Sequence, residues 1–274
     1  MSQAREPKHE GKHQEKKDGQ IRRYYDALYS AWGAQHWWPA ETRLEVIVGT
    51  YLTQNTAWTN VEHALSNLRN GNNLLSVEGI RKVRLAQLER LIRPSGYFRQ
   101  KARRLKTFVA FLDEKYAGSL DHLFAQPTEK LREELLSLNG VGPETADSIL
   151  LYAGNHPVFV VDAYTRRILA RHGILPEKTD YEEIRELFHR ALSSAVREQA
   201  KDSSRVNPQL DAGFRGAAHP PSAMSKAART GLVQVYNEMH GLMVGVGKNF
   251  CRKSKPACEQ CPLREFLPAG HETV

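Results

Sequence analysis

Apolar residues recur every three or four positions through most of this chain, which is the spacing of amphipathic helices. The spacing predicts helices over residues 21–32, 44–68, 76–92, 98–116, 119–125, 128–138 and 228–246. The polar run TQNT interrupts the second of these, because Asn and Thr compete for backbone hydrogen bonds, and a new helix is expected near Ala57. The apolar run 158–161 is too short to identify a strand, and no segment alternates with a period of two. The pattern therefore predicts an all-α protein.

Two segments lack this periodicity. Residues 1–19 carry both charge signs and almost no hydrophobic side chains. Such a segment cannot bury enough surface to offset the entropy of ordering, so we expect a disordered polar tail. Residues 202–227 contain Gly and Pro in a run that is too long for an ordinary connection, which predicts an insertion loop.

Composition narrows the possible partners. The 39 Lys and Arg against 31 Asp and Glu give a formal net charge of +8, which favours a polyanionic partner, although many basic proteins bind no nucleic acid. No stretch approaches the roughly 18 consecutive apolar residues that span a bilayer, and the N-terminus lacks the apolar core of a signal peptide. We therefore expect an intracellular protein, cytoplasmic and nucleoid-associated, with no membrane partner.

Basic side chains cluster around the turn at residues 94–96. The cluster contains Arg93, Arg99, Lys101, Arg103, Arg104 and Lys106. Because each neutralised phosphate makes affinity fall with salt, the cluster predicts salt-dependent binding of DNA, with contacts at Arg99, Lys101 and Arg103. A solvated helix face is the alternative, and it applies equally to three further arginines. These are Arg166, Arg167 and Arg171.

The segment 131–171 places a glycine hairpin between two helical patterns and ends its apolar run at Asp162. The hairpin residues are Leu138, Asn139, Gly140, Val141 and Gly142, the spacing of a helix-hairpin-helix turn. Two glycines let the backbone turn tightly, and the amide N–H groups at the start of the next helix suit a DNA phosphate. Two glycines between helices more often form only a turn, so this assignment depends on its surroundings.

The surroundings are specific. The sequence LNGVGPETA, followed by VVDAYTRR and the terminal cysteines, resembles the helix-hairpin-helix DNA glycosylase superfamily, in its endonuclease III branch, over about residues 37–263. The resemblance implies a two-lobed all-helical fold with a cleft between the lobes. One lobe would comprise residues 20–43 and 128–274, and a six-helix lobe residues 44–127. It also implies a monomeric enzyme that binds double-stranded DNA containing damaged bases.

In that family a lysine after the second hairpin glycine attacks the sugar, and an aspartate further along assists. Asp162 occupies the aspartate position, whereas Glu144 stands at the lysine position. A carboxylate cannot form a Schiff base, so the resemblance implies a monofunctional glycosylase that uses water. Asp162 would stabilise the positive charge on the sugar and orient or deprotonate water; a plain helix N-cap is the alternative, and both roles can hold.

Glu144 has two interpretations. An acid in the first turn of a helix complements the helix dipole, which is the role we expect. A direct part in base recognition or in water positioning is the alternative.

The run HWWPAETRLEVIVGTYLTQNTAWTNV, with LIRPSGYFRQKARRLK after it, narrows the resemblance to the 3-methyladenine DNA glycosylases of the endonuclease III type. Their base-pocket positions fall on Trp37, Trp38, Pro39 and Trp58. A flipped-out methylated purine carries positive charge, which the face of a Trp ring attracts, although buried core tryptophans are the alternative. By the same analogy Gln54 would fill the gap left by the flipped base, and a buried turn-forming amide is the alternative.

Three cysteines follow near the C-terminus, at Cys251, Cys258 and Cys261. They argue against a disulfide scaffold. Their spacing reproduces the first three ligands of the family's 4Fe-4S loop, but Leu267 stands at the fourth position. His271 or an exogenous ligand could complete a cluster, zinc could bind instead, or the thiols could be free. We expect the cluster, and in every case a structural loop that contacts DNA.

Three functions follow from these observations. The first is a monofunctional DNA glycosylase of base excision repair that excises alkylated purines. The second is an endonuclease III-type bifunctional glycosylase and AP lyase in which another amine replaces the missing lysine. The third is a non-catalytic protein that binds damaged DNA.

Overall fold

The computed structural model describes residues 8–71, 74–199 and 219–269. These residues form helices and no strand, as predicted. In chain order the helices are α1 Lys8–Trp32, α2 Arg43–Leu52, α3 Trp58–Arg69, α4 Val77–Lys82, α5 Leu85–Leu91, α6 Phe98–Tyr116, α7 Leu120–Phe124, α8 Thr128–Leu136, α9 Pro143–Ser148, α10 Ala163–Arg171, α11 Tyr181–Gln199, α12 Ala223–Lys226 and α13 Gly231–Asn249. None of the helices within the described ranges is long and apolar enough to cross a membrane.

The predicted break in the second helical stretch is confirmed, since α2 ends at Leu52 and α3 begins at Trp58. Ala57 precedes α3 and supplies no side-chain hydrogen bond to its first turn. The apolar run 158–161 is buried and forms neither a helix nor a strand. After α9 the helix continues through one π-helical segment, Ile149–Ala153, which no sequence pattern indicated.

The polar tail was predicted too long, because residues 8–19 belong to α1. Lys, Glu and Gln are good helix formers, and α1 packs along α11, with Asp18 lying 3.5 Å from Arg190. Tertiary contact thus orders a segment whose own hydrophobicity is low. Residues 1–7 lie outside the described residues.

The predicted insertion loop is described only from residue 219 onward, and this part is ordered. Ser222 forms a capping box at the start of α12, and its Oγ accepts a hydrogen bond from Ala40 N at 3.3 Å. Met224 N donates to Ala40 O at 3.1 Å. The remaining residues of the predicted loop, 202–218, lie outside the described ranges, as does His271.

The described chain divides into two compact units. The first gathers residues 8–37, 158–199, 219–220 and 229–269, and the second residues 38–71, 74–157 and 221–228. The expected lobe boundary at residue 128 therefore falls at 158 instead. The reason is packing: α8 lies on α9, and the π-helical segment lies on α2, so residues 128–157 share the core of the second unit.

Candidate functional site

The glycine hairpin lies in the second unit, between α8 and α9. Gly140 has φ +79°, a conformation that favours glycine, and a β-carbon there would overlap the side chain of Arg104. Val141 N donates to Leu138 O at 3.1 Å and its side chain is buried, whereas Asn139 and Gly142 are exposed. The turn predicted at this position is thus present, with its outer residues accessible.

A buried ion pair fixes the two helices on either side of the hairpin. Arg132 Nε of α8 lies 2.6 Å from Asp147 Oδ1 of α9, and Nη2 lies 3.2 Å from Oδ2. Asp147 is completely buried. Removing either partner would leave an uncompensated charge in the core. The pair therefore keeps α8 and α9 together on the two sides of the hairpin.

Gln54, in the loop after α2, reaches the hairpin. Its Nε2 donates to Gly140 O at 3.1 Å and to Thr145 Oγ1 at 2.9 Å. Its Oε1 accepts from Arg104 Nη1 at 2.7 Å. The side chain is half-buried, and its amide joins the loop after α2 to the hairpin and to α6.

Asp162, in the first unit, precedes α10 and caps it. Its Oδ1 accepts hydrogen bonds from Thr165 N at 2.7 Å and Thr165 Oγ1 at 2.9 Å, so the predicted N-cap is confirmed. Its Oδ2 lies 3.7 Å from His240 Nε2. Burial opposes the charged form, but His240 and the two groups of Thr165 outweigh it and hold the pKa of Asp162 below its ordinary value. The carboxylate is an anion whose two oxygens have different neighbours.

Two buried polar residues of α13, of which His240 lies beside Asp162, were missed from the sequence. His240 is buried, and its ring lies edge-on to Trp37 at 6.0 Å between centroids. Glu238 accepts from Gln35 N at 2.6 Å and from Gln234 Nε2 at 2.8 Å, and burial raises the pKa of Glu238 to about 7 against these bonds. Both residues looked like polar interruptions of an apolar helix, and nothing in their spacing signals a site.

The predicted base-pocket residues fall in different units. In the second unit, the ring of Trp38 lies edge-on to Trp58 at 5.1 Å and tilted against Tyr152 at 5.2 Å. Trp38 and Tyr152 are buried, whereas Trp58 is half-buried. Tyr152 was missed because it lies in the unpredicted π-helical segment. Pro39 is half-buried in the same unit.

Trp37 belongs to the first unit, where its ring also faces His219 at 5.4 Å. Of the four predicted pocket residues, the second unit therefore brings together Trp38, Pro39 and Trp58, and the first unit places Trp37 beside His240, the neighbour of Asp162.

Glu144 lies in the first turn of α9 and is exposed, in agreement with the expected dipole role. Arg99 and Arg103 are exposed on α6. Lys101 was predicted to contact DNA, and here the prediction is wrong. Its side chain is only 1% exposed, and Nζ donates to Leu52 O at 2.8 Å and Ser95 O at 2.7 Å. Burial lowers the pKa of Lys101 to about 8, with the charge of Arg104 adding to the effect.

The arginines after Asp162 hold backbone carbonyls. Arg167 Nε donates to Cys251 O at 2.7 Å, and its Nη2 to Gly247 O at 3.1 Å. Arg171 donates to Arg252 O at 2.6 Å and Lys253 O at 3.1 Å. These two side chains fasten the start of the cysteine loop to α10.

The three cysteines line one cavity of about 20 Å³, together with Leu267 and Arg171. Arg171 Nη1 lies 3.3 Å from Cys251 Sγ. Burial raises the pKa of Cys261 to about 11, with the neighbouring cysteines adding to the rise. The space suits about one water molecule, and in the described ranges no three metal-ligating side chains are arranged to hold a metal. As packed, these residues do not fit a 4Fe-4S cluster.

Comparison with known proteins agrees with this architecture. The family model for the HhH-GPD superfamily of base excision DNA repair proteins matches residues 48–194. A protein of Methanocaldococcus jannaschii whose provisional name is DNA repair glycosylase is 42% identical over 253 residues, which cover 92% of this chain and 97% of that protein.

Two solved structures have a similar fold. The Helicobacter pylori 3-methyladenine DNA glycosylase bound to 1,N6-ethenoadenine aligns with a TM-score of 0.66 at 26% identity, over 84% of this chain and 97% of that chain. A trapped covalent intermediate of endonuclease III with DNA aligns with a TM-score of 0.65 at 21% identity, over 91% of this chain and 95% of that chain. The second likeness concerns the fold alone.

Proposed function

Because this chain belongs to the HhH-GPD superfamily of base excision DNA repair proteins, we propose that it is a monofunctional DNA glycosylase that excises alkylated, 3-methyladenine-like purines by hydrolysis. Its partner would be double-stranded DNA containing a damaged base, bound by a protein monomer. Family membership alone fixes neither which damaged base is excised nor whether the DNA strand is also cleaved.

The placement of Asp162 is the observation that carries the mechanism, since one carboxylate oxygen caps α10 and the other faces His240. As the bond between sugar and base breaks, its electron pair leaves with the base and positive charge develops on the sugar. The carboxylate would stabilise that charge through Oδ2, since Oδ1 is committed to the cap. Water then adds to the sugar carbon and gives a proton to Asp162 or to solvent. N-cap and catalytic group are thus compatible roles for one side chain.

The residue at the position of the family lysine, Glu144, supports hydrolysis rather than strand cleavage. Glu144 is a carboxylate and cannot form a Schiff base. Lys101 is the amine whose lowered pKa would best suit a replacement nucleophile, but its Nζ is buried between two carbonyl oxygens. It would have to leave the core to reach a sugar.

The aromatic residues support a preference for cationic purines. Trp38, Trp58 and Tyr152 form one ring cluster in the second unit, and a positively charged methylated base is attracted to such faces. The similarity to a 3-methyladenine glycosylase bound to an ethenoadenine supports an alkylated adenine as substrate. Trp58, which is half-buried, offers the accessible ring of this cluster.

For DNA binding we assign the hairpin, residues Asn139, Gly140, Val141 and Gly142, to a backbone phosphate through its exposed residues Asn139 and Gly142, with Arg99 and Arg103 as further cationic contacts. Gln54, at the point where its loop meets the hairpin, would fill the gap in the duplex. In this scheme the contacts position the duplex and carry no sequence preference.

For the cysteine loop, the packing favours free thiols over the expected cluster. Arg167 and Arg171 already tie the loop to α10, so it can keep its shape without a cofactor. A 4Fe-4S cluster would have to open the cavity and displace Arg171 from Cys251. Iron and sulfide analysis after anaerobic purification decides: stoichiometric iron and sulfide in folded protein would restore the cluster.

The direct test is an inventory, by mass spectrometry, of the bases released from methylated duplex DNA. We expect free 3-methyladenine from the wild-type protein. Release of oxidised or deaminated bases alone would overturn the proposed substrate. Tight binding to an abasic-site analogue without release of any base would favour the non-catalytic alternative.

Borohydride trapping tests the second element of the proposal. We expect no covalent protein–DNA adduct under conditions that trap endonuclease III, because no amine occupies the position of the family lysine. An adduct would establish the bifunctional alternative, and the trapped residue would be the amine that replaces the family lysine.

A further inference from the structure

Arg104 links three segments of the second unit that are far apart in sequence. From α6 its Nη1 donates to Gln54 Oε1 at 2.7 Å, and Gln54 Nε2 in turn bonds Gly140 O and Thr145 Oγ1. The Arg104 side chain also lies directly against Gly140, where a β-carbon would overlap it. The loop after α2, the hairpin and α6 therefore meet at one polar junction.

The donors and acceptors at this junction determine how the Gln54 amide is oriented. A guanidinium is always charged, and hydrogen bonds from charged donors are about twice as strong as neutral ones. Because Arg104 occupies the amide oxygen of Gln54, the NH₂ group must point at the hairpin and at Thr145. Arg104 thus selects one of the two possible orientations of the Gln54 amide and keeps the loop in register with the hairpin.

We propose that Arg104 is a positioning residue that acts through Gln54, holding the loop and the hairpin as one rigid DNA-contacting element. Without it, the Gln54 amide would keep its bonds to Gly140 O and Thr145 Oγ1 but lose the charged donor that braces it from α6, so the loop and the hairpin would be held together less tightly. This inference rests on the proposed role of Gln54 in DNA, and it adds a residue whose contribution differs from that of a plain phosphate contact.

Arg103 provides a matched control. It is the preceding residue of the same helix, carries the same charge, and is exposed, and no contact joins it to Gln54 in the described structure. Replacing either arginine by Gln removes one positive charge and lowers general attraction to DNA equally. Any further loss in Arg104→Gln then reports on positioning.

The experiment is a double-mutant cycle between Arg104→Gln and Gln54→Ala, with Arg103→Gln and Gln54→Ala as the parallel cycle. All variants keep Asp162, because an abasic-site analogue carries no base that could be released. Two quantities are measured: affinity for a duplex with a tetrahydrofuran abasic-site analogue, and fluorescence of a 2-aminopurine beside it, which reports unstacking. Melting temperatures show that each variant is folded, and Arg104→Lys enters the cycle if Arg104→Gln does not fold.

We expect Arg104→Gln to weaken binding about tenfold more than Arg103→Gln and to reduce the 2-aminopurine signal. In the Gln54→Ala background the two arginine variants should bind alike, within about twofold. Equal effects of the two arginines with Gln54 intact, or additive losses from Arg104 and Gln54, would overturn the proposal. Failure of the parent protein to bind damaged DNA would instead refute the proposed function, so the two failures are distinguishable.

Discussion

Asp162 and Glu144 are both acidic residues at the start of a helix, yet their surroundings differ. Asp162 is buried, caps α10 with one oxygen and faces His240 with the other. Glu144 lies one residue inside α9, exposed beside the hairpin. From sequence the two have the same local explanation, that of an acid at the positive end of a helix.

The comparison shows that burial, not helix position, separates a group suited to chemistry from one suited to the surface. Solvent competes for every interaction that Glu144 makes, whereas the neighbours of Asp162 are fixed and act in a medium of low dielectric constant. A difference in function should therefore appear when each side chain loses its charge and keeps its shape.

The largest expected effect is that of Asp162→Asn. Asn also caps helices well, so the fold and the cap should persist while the negative charge is lost. We expect the single-turnover rate of base release to fall about 10²- to 10⁴-fold, the usual range for a catalytic acid or base. Binding to an abasic-site analogue serves as the control and should change little. A rate within threefold of wild type, roughly the error of such a comparison, would reduce Asp162 to a cap.

A second, smaller effect should follow from His240→Gln. Burial alone raises the pKa of Asp162, and His240 is the main group that lowers it. In the proposed mechanism activity needs the carboxylate, so it is lost as pH falls through this pKa. Removing His240 should therefore move the acidic limb of the pH–rate profile to higher pH. His219→Gln is the matched control, because His219 also faces Trp37, whereas the groups that set the pKa of Asp162 are His240 and Thr165. An unmoved limb in His240→Gln would contradict the pairing.

The sequence predicts those features of the site that depend on residues close together in the chain, and misses those that depend on tertiary packing. Helices with apolar periodicity, the hairpin turn and the cap at Asp162 depend on neighbours within a few residues, and these were found. His240 and Tyr152 could not be found, since their roles depend on the packing of α13 on α10 and on a π-helical segment.

Two of the errors have the same origin. Lys101 looked like part of a basic surface, but its stem and charge are turned inward to two carbonyl oxygens. Residues 8–19 looked too polar to fold, but α11 orders them. In both cases the polarity of the segment was judged correctly, but a contact with residues distant in sequence determines its structure.

The third prediction separates the two roles of Asp162 by stability. Asp162→Ala removes the cap as well as the charge, so it should be less stable than Asp162→Asn by about 1 kcal/mol at neutral pH. Since the folded pKa of Asp162 is lowered, its ionisation stabilises the fold above the unfolded pKa, and this contribution is lost as pH falls through the folded value. Urea unfolding of the wild-type protein and both variants at several pH values measures the two contributions, since only the wild type carries the titrating carboxyl. Equal stability of the Ala and Asn variants would show that the Thr165 amide needs no cap.

The smallest effect is expected for Glu144→Gln. An exposed side chain in the first turn contributes at most a few tenths of a kcal/mol through the helix dipole, and a surface substitution usually changes stability by less than about 0.5 kcal/mol. Loss of its negative charge beside the hairpin should raise DNA affinity by no more than about twofold, because one charge near a bound phosphate is removed. The rate of base release at saturating enzyme should equal that of wild type. If that rate fell as far as in Asp162→Asn, Glu144 would belong to the catalytic machinery, and exposure in the DNA-free protein would be a poor guide to the role of a carboxylate in this family.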